Sequence, residues 1–234
     1  MYEYHLTKDN CPFPDILEKF GSQWYATIYH QFSMSGIPDR LIYDDIKITP
    51  TNSEQLATFR ELNKILNHME EFTDKGLNLF LYGTTGTGKT SFGIKLLKQY
   101  IHEFYYIHPL MTRCPTVLYV NVPKLLNNYD KKSSIELLEN MSRCNLLLLD
   151  DIGFKVLPDA FVQILHPIIQ DRLESGLSTI YTSNVAGHVK DGEPIESTKL
   201  FNNLGNSLLY SRTWGSCRPE HRLPLIGKDR RGDR

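Results

Sequence analysis

Eight consecutive residues, Gly83-Thr84-Thr85-Gly86-Thr87-Gly88-Lys89-Thr90, place three glycines, a lysine and a hydroxyl at the spacing G-x-x-x-x-G-K-[ST]. Glycine lets the backbone curl until successive N–H groups point inward, where they can hold phosphate oxygens. In that setting Lys89 neutralises the β- and γ-phosphates and the Thr90 hydroxyl ligates Mg²⁺, with Ser91 continuing into the helix behind. Residues 83–91 are therefore the expected ATP-binding loop.

Such a loop needs a carboxylate at the end of a neighbouring strand to hold the metal. In "NLLLLDDIG" four leucines run into Asp150 and Asp151. Asp150 is the expected Mg²⁺ ligand, directly or through water, and Asp151 the group that orients and deprotonates the attacking water. A third polar group closes "STIYTSN". Asn184 there can position the water near the γ-phosphate, although an Asn leaving a strand is equally a turn residue.

These residues must be set on elements. Short apolar runs read as strands at Leu77–Tyr82, Thr116–Val122, Asn145–Asp150 and Ser178–Ser183, with a weaker fifth at Arg222–Ile226. Helical spacing falls between them at about Lys89–His108, Ser133–Arg143, Asp159–Ser175 and Glu196–Arg212. Strands separated by helices imply a parallel sheet covered on both faces, an α/β fold. A further helix is expected over Ser53–Phe72, opened by Thr51 and Glu54 at capping-box spacing. Before it, Ile16, Phe20, Trp24, Ile28 and Phe32 recur every four residues and form an aromatic stripe. That stripe either docks on the chain's own core or lies in a partner's groove. Residues 1–50 are expected as a short, mainly helical N-terminal region and 51–234 as the ATPase domain.

Of the 234 residues 41% are hydrophobic and 23% charged, enough for an ordinary core, and the formal net charge is −1. Nucleic acid must then be met by a local patch and not by a global field. The four cysteines, Cys11, Cys114, Cys144 and Cys217, have no C-x-x-C spacing, so no zinc site is expected. The start of the chain lacks a basic and an apolar stretch of signal type, and no apolar run approaches the ~20 residues of a membrane-spanning helix. A cytoplasmic chain in a bacterial cell, encoded by the cell or by a phage, is the expectation.

With the phosphate loop, "LLLLDDIG" and "STIYTSN" in this order, the chain resembles an AAA+ P-loop NTPase. More narrowly it resembles the DnaC/DnaI-type helicase loaders, with the IstB-like ATPases as close relatives. "SGIPDRL", "TVLYVNVPKLL" and "LGNSLLYSRTWG" extend the likeness over about residues 36 to 231. The resemblance implies a five-stranded parallel sheet flanked by helices. It also implies an arginine finger at Arg212 that reaches the neighbouring subunit's nucleotide, so that ATP-bound copies self-associate. Arg230 or Arg231 would be a second phosphate sensor. The implied partners are the hexameric replicative DNA helicase, gripped through Phe20, Trp24 and Ile28, and single-stranded DNA.

Lys124, Tyr129, Lys131 and Lys132, in the segment between the second and third strands, would meet that DNA, although "DKKSS" is also what a surface turn looks like. Two departures from the family pattern stand out. Asp151 replaces the commoner glutamate, which points to slow or partner-stimulated hydrolysis, and no cysteine-rich zinc domain is evident. The function expected is an ATP-dependent loader acting in DNA replication initiation. The alternatives are an IstB-like helper of a DNA transposase, a P-loop small-molecule kinase and an ATP-switched adaptor with negligible turnover.

Overall fold

Leu146, Leu147, Leu148 and Leu149 are all fully buried, and that run defines the layering. Successive strand residues face opposite sides of a sheet. Leu146 and Leu148 accordingly join one core cluster, while Leu147 and Leu149 join a second. The computed structural model describes Glu18 and residues 27–43, 46–107, 115–188 and 193–229. Its sheet has five parallel strands: β1 (Leu79–Tyr82), β2 (Val117–Asn121), β3 (Leu146–Asp150), β4 (Ser178–Ser183) and β5 (Arg222–Pro224). Their order is β2-β3-β4-β1-β5. Register pairs Asn121 with Asp150 and Tyr82 with Ser183, so the strands end together at one edge.

One face of the sheet carries α1 (27–34), α2 (Asp39–Tyr43), α3 (Ser53–Leu66), α4 (Met69–Asp74) and α5 (Lys89–Ile107). The other carries α6 (Val122–Leu126), α7 (Ile135–Arg143), α8 (Asp159–Glu174), α9 (Lys199–Leu204) and α10 (Ser207–Tyr210). This is the expected α/β class, with strand ends within two residues of the sequence reading. Among the described residues no helix is long and apolar enough to cross a membrane.

The helix expected over Glu196–Arg212 is broken. Gly205 takes a left-handed conformation (φ 67°) and closes α9, and Asn206 Oδ1 then accepts from Leu208 N and Leu209 N to open α10. A π-helical turn, Ser211–Gly215, follows and carries Arg212. The helix expected over Ser53–Phe72 is also two helices, parted at Asn67 and His68. Its cap is one residue from the expected position. Asn52 Oδ1 accepts from Gln55 N at 2.8 Å, and Gln55 Oε1 accepts from Thr51 N at 2.9 Å.

The packing draws no boundary at residue 50. Ile28 and Phe32, 3% and 1% exposed, share a core cluster with Phe59, Ile94 and Leu97. Phe32 meets the His102 ring of α5 edge-on at 6.3 Å. Gln31 Oε1 accepts from Thr116 N at 3.0 Å, and Ser35 O accepts from Tyr119 N at 2.7 Å, so α1 and the turn after it run along the free edge of β2. Ile28 is thereby corrected from a partner-facing residue to a core residue, because burial on α5 and β2 removes its apolar surface from water. Phe20 and Trp24 lie outside the described residues.

Candidate functional site

Asp150, at the C-terminal end of β3, is 2% exposed and accepts four hydrogen bonds. Oδ1 receives Thr90 Oγ1 and Thr182 Oγ1, each at 2.7 Å. Oδ2 receives the Tyr119 hydroxyl at 3.0 Å and Asn121 Nδ2 at 3.4 Å. Parallel pairing of β2, β3 and β4 brings these donors to one edge of the sheet, and α5 adds Thr90 from its first turn. Burial, and then the Asp150 charge, hold the Tyr119 phenol well above its ordinary range. It therefore remains a donor to the carboxylate.

Gly83-Thr84-Thr85-Gly86-Thr87-Gly88 forms a tight loop between β1 and α5. Gly83 has φ 140°, and a Cβ there would fall 2.2 Å from Leu225 O, so no other residue fits this approach. Lys89 is 5% exposed, and its Nζ donates to Gly83 O at 2.9 Å and Thr84 O at 2.7 Å, arching over the loop. Thr87 Oγ1 donates to Thr84 O at 2.9 Å, while Thr84 and Thr85 are exposed. Ser91 is half-buried in the first turn of α5.

Asp151 leaves β3 with φ 60°, a left-handed conformation that aspartate tolerates better than most residues. Its amide donates to Thr182 Oγ1 at 2.9 Å, which fixes the turn. Burial chiefly, and then the neighbouring Asp150 charge, push the Asp151 carboxyl upward, with Lys89 opposing. Asn184 Nδ2, just past β4, reaches Asp151 Oδ1 at 3.4 Å. The loop, Lys89, Thr90, Asp150, Asp151 and Asn184 thus form one constellation, as the sequence reading expects. Thr90 and Asp150 offer hard oxygen donors side by side, a donor set that fits Mg²⁺.

Tyr119, Asn121 and Thr182 belong to this constellation and were missed. Their one signal in the sequence was position, since each is a polar or amphipathic residue near the C-terminal end of an apolar strand. A fourth residue comes from the far end of the chain. Leu225 N donates to Tyr82 O at 2.6 Å, Gln55 Nε2 donates to Ile226 O at 2.9 Å, and Thr84 Oγ1 donates to Gly227 O at 3.1 Å. These bonds lay residues 225–229 along the phosphate loop. A Cβ built on Gly86 would lie 1.9 Å from Asp229 Oδ1, so that carboxylate rests directly on the loop. Arg230 and Arg231 lie outside the described residues.

Arg212 is apart from the cluster that surrounds Asp150. It is half-buried, and its Nε donates to Gln170 Oε1 on α8. Lys124, Lys131 and Lys132 are exposed. Tyr129 is half-buried, its ring edge-on against Phe161 of α8 at 5.2 Å, at the margin of the second core cluster.

A family model described as IstB-like ATP binding protein matches residues 26–190. The replicative helicase loader DnaI of Bacillus subtilis (strain 168) is 28% identical over 137 residues, covering 57% of this chain and 41% of that protein. The match therefore spans about two-fifths of the length of that relative. Among solved structures, that of DnaI superposes with a TM-score of 0.59 at 18% identity, over 86% of this chain and 100% of that one. The DnaC helicase loader gives 0.59 at 20% identity, over 82% of this chain and 100% of that one. AMPPCP-bound DnaA from Aquifex aeolicus gives 0.52 at 17% identity, over 76% and 48%. At these identities the structures establish the fold, that of the AAA+ P-loop NTPases.

Proposed function

The chain belongs to the family of IstB-like ATP binding proteins, and from that premise we propose that it is an ATP-dependent loader of the replicative DNA helicase. In this reading it grips the helicase and helps to place it on single-stranded DNA. The observation that carries the reading is the 28% identity to a replicative helicase loader. The fold shared with two helicase loaders supports it.

At the site, the amides of residues 83–91 cradle the ATP phosphates and Lys89 neutralises their outer charge. Thr90 and Asp150 would hold Mg²⁺, which when bound with ATP offsets charge on the phosphates. Asp151 orients the attacking water and accepts its proton, and Asn184 fixes the position of both. Arg212, on the π-helical turn that follows α10 and bonded to Gln170 of α8, serves a neighbouring copy's nucleotide and makes turnover depend on self-association. The Lys124, Lys131 and Lys132 cations meet DNA phosphates.

A second reading, an ATPase helper of a DNA transposase, is favoured by the description of the matching family itself. The two differ in partner and not in ATP site. Native mass spectrometry of the chain with its host's replicative helicase, with and without ATP and with Lys89→Ala, distinguishes them. The loader reading expects a helicase hexamer carrying several copies, lost without ATP or with the variant. Absence of that complex in every condition, with assembly on duplex DNA instead, would select the transposition helper.

A further inference from the structure

The two oxygens of Asp150 are held from different sides. Oδ1 faces Thr90 and Thr182, whereas Oδ2 is held from β2 by Tyr119 and Asn121. All four donors are uncharged. A carboxylate 2% exposed depends on such bonds, because leaving a buried charge without donors is costly.

Tyr119 is the most firmly placed donor on the Oδ2 side. It lies on the outermost strand, yet its own amide donates to Ser35 O at 2.7 Å. A Cβ on Gly36 would come within 2.8 Å of Tyr119 O, so the turn after α1 is seated directly on this residue. Two residues before it in β2 begins Val117, and the preceding Thr116 amide is held by Gln31 of α1. The backbone is thus fixed from one side and the phenol reaches Asp150 on the other.

From this we infer that Tyr119 is a positioning residue: its hydroxyl holds Asp150 Oδ2 so that Oδ1 stays turned toward Thr90, where the cation of a metal–nucleotide complex is received. The inference rests on the reading of this site as an Mg²⁺–ATP site. Rotation of the carboxylate about its Cβ–Cγ bond would exchange the two oxygens, and the Tyr119 bond opposes that rotation. Mg²⁺ demands near-ideal octahedral placement of its ligands, so a carboxylate left free to turn binds it more weakly. Tyr119 touches neither phosphate nor water in this role and acts only through Asp150.

The test uses the full chain and a fluorescent ATP analogue, with affinity measured in excess EDTA and then across a titration of Mg²⁺. Tyr119→Phe removes one oxygen, and Tyr119→Met keeps apolar bulk at the same position if the ring alone packs poorly. Both are expected to raise the Mg²⁺ concentration for half-maximal effect about tenfold, as loss of a hydrogen bond to a charged group predicts. Affinity for the metal-free analogue is expected to stay at the wild-type value, and the thermal unfolding midpoint to fall by only a few degrees, as loss of one buried hydrogen bond predicts. A general loss of packing would move all three readouts together and overturn the inference. So would an unchanged Mg²⁺ requirement in both variants while Asp150→Asn raises it. If the wild-type chain binds the analogue with no response to Mg²⁺, the Mg²⁺–ATP reading itself fails and takes the inference with it.

Discussion

Thr90 Oγ1 stands 2.7 Å from Asp150 Oδ1, joining the first turn of α5 to the C-terminal end of β3. The hydroxyl comes from the phosphate loop and the carboxylate from a strand two places away in the sheet. Asp150→Asn keeps the shape and removes the charge. It is expected to weaken ATP binding in Mg²⁺ by roughly tenfold or more while leaving binding in EDTA unchanged or slightly tighter. Isothermal titration with and without the metal reads both. Equal affinity of variant and wild type in Mg²⁺ would remove Asp150 from the metal site.

Asp229 places a negative charge against Gly86, inside the loop that the proposed function fills with phosphate. Two like charges at such spacing repel, by about 1 kcal/mol in water and more where water is excluded. Asp229→Asn is therefore expected to tighten ATP binding about threefold to tenfold, with the gain shrinking as salt rises. Weaker binding in the variant would mean that the carboxylate supports the loop in its working shape.

Arg212 lies on the π-helical turn Ser211–Gly215, bonded to Gln170 of α8 and not to Asp150. Arg212→Ala is expected to bind ATP within about twofold of wild type yet lose roughly a hundredfold or more in turnover. Mixing it with Lys89→Ala should restore part of the turnover, since one variant supplies the nucleotide and the other the arginine. Failure of the mixture to recover any activity would argue against a role between subunits.

Arg172 is fully buried on α8 and donates to Thr179 Oγ1, Met141 O, Cys144 O and Ser178 O. Three of those acceptors are backbone carbonyls where β3 and β4 begin and α7 ends. Arg172→Leu would leave them buried without donors, costing about 3–5 kcal/mol. Urea unfolding measures the loss. A change below about 1 kcal/mol would show that water or backbone shifts replace the guanidinium.

The phosphate loop, the Asp150-Asp151 pair and Asn184 were legible because each is encoded locally. Glycines at fixed offsets and polar residues just past an apolar run announce themselves without knowledge of neighbours. The parallel sheet was legible for a similar reason: strands as short and apolar as Leu146–Leu149 must be covered on both faces. Local signals also misled. The apolar spacing of Glu196–Arg212 concealed the stop at Gly205, where a left-handed backbone outweighed the pattern on either side.

Long-range pairing decided the rest. Nothing near Tyr119 or Thr182 in the chain announces that they hold Asp150. Only the adjacency of β2, β3 and β4 puts their hydroxyls on one carboxylate. The stripe of Ile28 and Phe32 was visible as an apolar face, but periodicity names a face and not what covers it, and α5 and β2 supplied the cover. Asp229 follows Gly86 by more than half the chain, and β5 beside β1 brought its segment onto the loop. The sequence alone determined the glycine-rich loop, the carboxylates that close an apolar strand and the layers that must form around them. Tertiary structure alone decided how those groups are oriented and which residues serve the core, because hydrogen bonds and packing between distant segments depend on strand order and docking and not on spacing along the chain.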